Sequence, residues 1–306
     1  MVAGITGCDV FHDNLDQCDL FLKFRYDYNM VNEDWFAGQV EEVKVFVFDA
    51  NGSYIQTFTG NGNPLKSPDY RMLIPYRLKG YTAVVWAGKT DNFYSLPIME
   101  VGDPIDKLTL KYEPENNISD NHLDALWHSG PLQMFSPENM SDTETVSLLR
   151  NTNDITIGIT RGNNPADASK YDIQLIAANS FYDYKNNFGE NNKNIIYHPC
   201  LEEEDSRTSS LQLRLHTLRF VKDVGTTFSI TEKTSGKAID IGGKTTINLI
   251  DYLLMSKPEG MGEQEYLDRR YQWDINVRIG EKEENGYIAL SITINNWTYW
   301  FQPTDI

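Results

Sequence analysis

The chain has 306 residues, 40% of them hydrophobic, and 44 acidic against 27 basic side chains give it a formal net charge of −17. That length predicts about two domains with packed cores, and no apolar run reaches the ~18 residues a membrane helix needs. Nucleic acid is excluded as an expected partner, because counterion release requires clustered Lys and Arg that this chain lacks.

Met1–Gly7 are small and apolar and end at Cys8. Ile5-Thr6-Gly7-Cys8 reads as a bacterial lipobox at the end of a trimmed signal sequence, one without a basic n-region or a long apolar core. Cys8 is therefore the expected lipidation site, the alternative being an ordinary thiol in a terminal segment. Residues 1–18 form a signal-sequence remnant and lipid tether in this reading. Each buried acyl methylene is worth ~0.8 kcal/mol, so several chains on Cys8 would hold the protein on a membrane almost irreversibly.

From Leu20 to Tyr28, the apolar side chains Leu20, Leu22, Phe24, Tyr26 and Tyr28 alternate with polar ones, the period of a strand with one wet face. Asn32–Phe36 offers a cap and a short apolar group, with Gly38 as the stop of a one- or two-turn helix. Val43–Phe48 is β-branched and aromatic almost throughout and turns at Asp49-Ala50-Asn51-Gly52 into a returning strand over Ser53–Phe58. Tyr70–Leu78 is a strand interrupted by Pro75, which suits a sheet edge. Tyr81–Ala87 is nearly continuous in β formers, as expected of a strand buried on both faces. Leu108–Tyr112 alternates weakly, apolar content resumes at His122–Trp127 and Leu132–Phe135, and Thr143–Leu149 is expected to pair with Asn153–Arg161. We place a domain boundary at about 150, giving sandwiches over 19–150 and 151–306.

In the second part Ile173–Ala178 is a strand, and Asn179–Pro199 a long Asn- and Tyr-rich excursion. Glu202-Glu203-Glu204-Asp205 reads as a solvated loop. Leu211, Leu213 and Leu215 alternate with polar residues. Phe228–Thr231, Ala238–Ile241 and Thr246–Tyr252 are short strand or turn-helix candidates, and Glu263–Arg269 a short helix or an ordered loop. Asp274–Ile279 and Tyr287–Ile294 form the last hairpin, and Trp297–Phe301 then extends the chain to its end. Many short strands punctuated by turns predict an all-β fold, a sandwich in each half.

Several blocks resemble those of a known family. Phe24–Met30 (FRYDYNM), Asp34–Phe36 (DWF), Val45–Gly52 (VFVFDANG), Leu126–Gly130 (LWHSG), Leu148–Asn153 (LLRNTN), Gln264–Arg269 (QEYLDR) and Ile294–Trp297 (INNW) are similar, in this order, to the fimbrial anchor subunits of Bacteroidetes, the FimB-like or minor-fimbrium anchor lipoproteins. The resemblance implies two tandem transthyretin-like domains, attachment of a fimbria to the outer membrane at the cell surface, and fimbrillin subunits as partners. It implies assembly by strand exchange, in which a groove of one sandwich accepts an extended strand of its neighbour. Polymerising subunits of this kind lose an N-terminal strand to a trypsin-like protease. Here the first Lys or Arg after Cys8 is Lys23, inside the first predicted strand, which favours an anchor over a stalk subunit.

Within Ser291–Ile306, Ile292, Ile294, Trp297, Tyr299 and Phe301 are the candidate strand-exchange residues, with packing into this chain's own core as the competing reading. Three cysteines leave Cys18 and Cys200 as a candidate disulfide if Cys8 carries lipid. Closing so long a loop would contribute about 4–5 kcal/mol in the chain-entropy model. His12, His122, His128, His198 and His216 show none of the zinc spacings, so no metal is expected, and His128 is read as ordering a loop. Nucleophile elbows and phosphate loops are also missing from the sequence, so neither an enzyme nor a cofactor is expected. The rival function is a glycan-binding surface lipoprotein of a nutrient-uptake system, with Trp86, Trp127 or Trp297 as its exposed platform.

Overall fold

The computed structural model describes residues 20–135, 141–162, 164–205, 210–282 and 286–301. The chain opens with β1 (Leu20–Arg25), the single-turn helix α1 (Phe36–Gln39), β2 (Glu42–Phe48), β3 (Tyr54–Asn61), β4 (Met72–Ile74) and β5 (Thr82–Gly88). Then come β6 (Tyr94–Ser95), β7 (Leu110–Tyr112), β8 (Ile118–Ser119), β9 (Leu126–Gln133), β10 (Thr143–Ser147) and β11 (Leu149–Arg150). The second part holds β12 (Thr152–Arg161), β13 (Asn164–Pro165), β14 (Tyr171–Ala178), β15 (Phe181–Tyr182), β16 (Asn194–Tyr197), β17 (Leu201–Asp205), β18 (Ser210–Leu218) and β19 (Thr226–Glu232). Helices α2 (Leu249–Met255) and α3 (Glu263–Arg269) precede β20 (Gln272–Lys282), β21 (Gly286–Ile294) and β22 (Trp297–Trp300).

The fold is all-β with short helices, as the strand pattern predicts. A three-stranded sheet, β10-β1-β4, faces a five-stranded sheet, β11-β9-β5-β2-β3. Leu22 and Phe24 of β1 meet Val43, Val45 and Val47 of β2 and Val85 of β5 between them. The other face of the five-stranded sheet is covered too. Phe46 and Phe48, and Val84 and Trp86, point into a second core built on Ile155, Ile157, Ile173, Leu175, Ile275 and Val277. β5 and the Val45–Phe48 half of β2 thus read as apolar runs because each residue parity has a core to fill.

The second core lies against a seven-stranded sheet, β17-β18-β12-β20-β21-β22 with β13 added to β12, and a four-stranded one, β19-β14-β16-β8. From the first part, β8 enters the four-stranded sheet by pairing in parallel with β16, while β7 and β6 join β15 of the second part in a separate three-stranded sheet, β15-β7-β6. Among the described residues no helix is long and apolar enough to cross a membrane.

Three local expectations are corrected. β10 does not pair with β12. It lies parallel to β1, with Phe24 opposite Val146, while β12 takes β18 and β20 as neighbours. The chain between them carries no hairpin turn; Leu149 and Arg150 instead pair with β9 and carry it from one sheet to the next. Helix α1 runs across Gly38, since Asp34 ends β1 by accepting from Tyr26 N–H at 2.9 Å and then caps Phe36 N–H at 3.1 Å, shifting the helix start. Glu202–Asp205 belong to an edge strand paired with β18. Of the two alternatives open for Thr246–Tyr252, strand or turn-helix, the helix is found: the segment enters α2, whose Leu249, Ile250 and Leu253 are buried at helical spacing.

Candidate functional site

The blocks that carry the family resemblance meet in space. Arg150, buried to 9% exposure, lies 3.7 Å from the centre of the Tyr271 ring and 5.5 Å from that of Trp127. Its guanidinium donates to Gln39 at 3.3 Å and pairs with Asp154 at 3.3 Å. Asn151 and Asn186 exchange side-chain amide bonds of 2.6 and 3.0 Å, and Asn153 donates to the Leu218 carbonyl at 2.9 Å while accepting from Trp273 Nε1 at 3.3 Å. From α3, Arg269 donates to the Asn29 carbonyl at 3.3 Å and to Asn32 Oδ1 at 2.8 Å, with its charge 4.2 Å from the Tyr28 ring centre. Asp268 takes two bonds from Arg219, 2.7 and 2.9 Å long, in a nearly dry setting. These polar residues form the joint between the chain's two parts, and the low dielectric there makes each bond count.

The predicted strand-exchange residues divide. Ile292 and Ile294, both at 0% exposure, lie on β21 and fill the chain's own second core. Phe301 is half-buried against that core. Trp297 and Tyr299, each 37% exposed, stack on one another on β22, and Trp300, which the sequence reading passed over, is 60% exposed. A two-residue turn at Asn295-Asn296 places β22 beside β21, with Ile294 opposite Trp297 and Ile292 opposite Tyr299. Asn295 takes φ +55°, a conformation Asn tolerates, and its Oδ1 accepts from Asp274 N–H at 3.1 Å.

Among the described residues β22 pairs only with β21, so its outer rim offers free backbone groups. Trp297-Thr298-Tyr299-Trp300-Phe301 holds no charge and no proline to discourage a further strand. The opposite rim of the same sheet, β17, is Leu201-Glu202-Glu203-Glu204-Asp205, a guarded edge by the same reasoning.

Cys8 and Cys18 lie outside the described residues. Cys200 is half-buried and unbridged among those described, and its thiol donates to the Arg214 carbonyl at 3.4 Å. Beside it His216 Nδ1 meets Asp154 Oδ1 at 2.8 Å. Burial opposes the imidazolium, but the Asp154 carboxylate and the Cys200 sulfur outweigh burial and push His216 up to about 9. His122 goes the other way, lowered by burial and by the neighbouring His216 charge. Of the expected glycan platform, Trp86 and Trp127 are fully buried and only Trp297 reaches solvent.

No curated protein matches the sequence. Among solved structures, the chain is similar to a candidate polysaccharide-binding protein of Bacteroides thetaiotaomicron, with 29% identity and a TM-score of 0.81 over 95% of this chain and 100% of that one. It is similar to a candidate adhesin of the same organism at 26% identity and a TM-score of 0.77, over 94% and 100% of the two chains. The fold is shared with the fimbrial anchor protein Mfa2 of Porphyromonas gingivalis, at 17% identity and a TM-score of 0.70 over 93% and 99%. A family profile described as fimbrillin-A associated anchor proteins Mfa1 and Mfa2 matches residues 15–303. With nearly the whole chain matched and the fold shared throughout, the protein belongs to the family of fimbrillin-A associated anchor proteins.

Proposed function

We propose that this protein is a lipid-anchored subunit that fixes a fimbria to the outer membrane at the cell surface and limits its length by taking a fimbrillin strand onto its own sheet. The observation that carries the reading is the bare outer rim of β22, lined by Trp297, Tyr299 and Trp300. Main-chain pairing along that rim supplies affinity, and the exposed rings supply register. Acyl chains on Cys8 fix the other end, and a division into sandwiches over 19–150 and 151–306 separates the mooring from the grip. The work is mechanical and uses no catalytic group.

The test has two arms. Cys8→Ala should release fimbriae into the culture medium, and normal retention of fibres by that variant would refute the anchor. Trp300→Glu should abolish co-purification with fimbrillin while leaving the protein folded and membrane-bound. Undiminished co-purification would remove β22 from the interface. A glycan-binding role is favoured by the Trp297–Tyr299 stack and by the 29%-identical relative's description. Oligosaccharide affinity lost in Trp297→Ala, with fimbrillin capture intact, would select it.

A further inference from the structure

Three metal-ligating side chains from separate stretches converge beside the large sheet. His122 lies between β8 and β9, Cys200 immediately precedes β17, and His216 is on β18. One ring nitrogen from each histidine and the Cys200 sulfur lie within 4.8 Å of one another. The two imidazoles are tilted by 57° with centroids 4.0 Å apart. A tetrahedral zinc ion, with bonds of about 2.0–2.3 Å, sets its ligand atoms roughly 3.3–3.7 Å apart. Small side-chain rotations of the exposed His122 and the half-buried Cys200 close that difference.

His216 is oriented as a ligand would be, and zinc binding would release to solvent the proton that Asp154 and Cys200 favour on its ring. Its side chain is 4% exposed, and Asp154 fixes Nδ1 at 2.8 Å. Asp154 is steadied in turn by Arg150 at 3.3 Å. The other ring nitrogen, Nε2, is buried with no hydrogen-bond partner. A buried, unpartnered nitrogen is uncommon and calls for an occupant, and a carboxylate on the far side of the ring is the usual support behind a metal-bound histidine. A cavity of about 380 Å³, lined by His122, Asp124, Asp154 and His216, opens on the two histidines and leaves room for a fourth, exchangeable ligand, while Cys200 lines a second cavity with His198 and Leu213. Arg214 also lines it and opposes a cation there; Asp124 and Asp154 act in the other direction.

We propose that His122, Cys200 and His216 bind one zinc ion, with Asp154 orienting His216 from behind. Two nitrogens and a thiolate with an open position suit zinc better than calcium or magnesium, which prefer oxygen. The ion would clip the loop before β9 to the sheet of the second part. A bridge from Cys200 to Cys18 consumes the same thiol, so the bridged and metal-bound forms exclude one another.

The full-length chain, reduced and stripped of metal, is titrated with cobalt(II) as a spectroscopic stand-in and then with zinc. One equivalent of cobalt should bring up an intense thiolate-to-metal absorption in the near ultraviolet, and zinc should bleach it. The signal should persist in the Cys8→Ser/Cys18→Ser double variant and vanish in Cys200→Ser. Zinc affinity should fall at least tenfold in His122→Ala, whose exposed position leaves the fold readable, and by about 10–100-fold in Asp154→Asn. His198→Gln, which removes the neighbouring histidine that pairs with Asp172, should leave it unchanged. Absence of the thiolate band at millimolar cobalt, or tight zinc binding that survives Cys200→Ser or His122→Ala, overturns the proposal.

Discussion

His128 illustrates how a single side chain on β9 couples stability to pH. It is 2% exposed, its ring centroid lies 4.4 Å from that of Trp86, and as the neutral tautomer its Nε2–H donates to the Tyr184 carbonyl at 3.1 Å. Burial, with the Arg219 charge in support, pulls its pKa from 6.5 down to about 3. The unfolded chain protonates first, so this contribution is complete above pH 6.5 and is lost toward pH 3 at up to about 1.4 kcal/mol per unit. Urea denaturation at pH 5 should show roughly 2 kcal/mol less stability than at pH 7, with that component missing in His128→Gln. The paired charges of the joint give a second prediction: Asp268→Ala strands the buried Arg219 and should cost about 3–5 kcal/mol. The reading of His128 as a loop-ordering residue agrees with its bond to Tyr184. The closeness of His122, Cys200 and His216 was not legible, because zinc spacings recognise ligands that are near in sequence, and these three are brought together only by tertiary packing.

At the scale of elements, alternation identified which stretches are strands and which faces are wet. Leu20, Leu22 and Phe24 are buried as their spacing requires, and β5 is enclosed on both sides. Partners were harder to read, because side-chain parity records a strand's two faces and carries no mark of its neighbour. The parallel pairs β1 with β10 and β12 with β20 therefore went unforeseen. Two-residue strands such as β8 and β15 are too short to show any period. Strand β22 was legible as an extension but not as half-exposed, since its aromatic residues serve equally for a core or for a contact surface. Its prediction belongs here: because Trp297 and Trp300 are exposed, Trp297→Lys with Trp300→Glu should shift the unfolding midpoint by no more than surface substitutions do, about 0.5 kcal/mol each. Chemical cross-linking to fimbrillin should nonetheless fall by tenfold or more.

The whole molecule is tied together by its five-stranded sheet, which contributes to both cores, and by β7 and β8, which pair with strands of the second part. Trp86, on the sheet shared by both cores, is fully buried at 0% exposure. Trp86→Ala should cost about 3–5 kcal/mol, and the loss should appear as an earlier single transition reported together by circular dichroism and tryptophan fluorescence. Two separated transitions would show that the parts unfold independently.

The two rims of the seven-stranded sheet differ, one carrying a run of acids and the other bare aromatic rings. On the proposed function, an incoming strand takes the uncharged flank in preference to the one whose sequence is a run of acids, so each anchored molecule is expected to carry a single fibre and not to become a branch point.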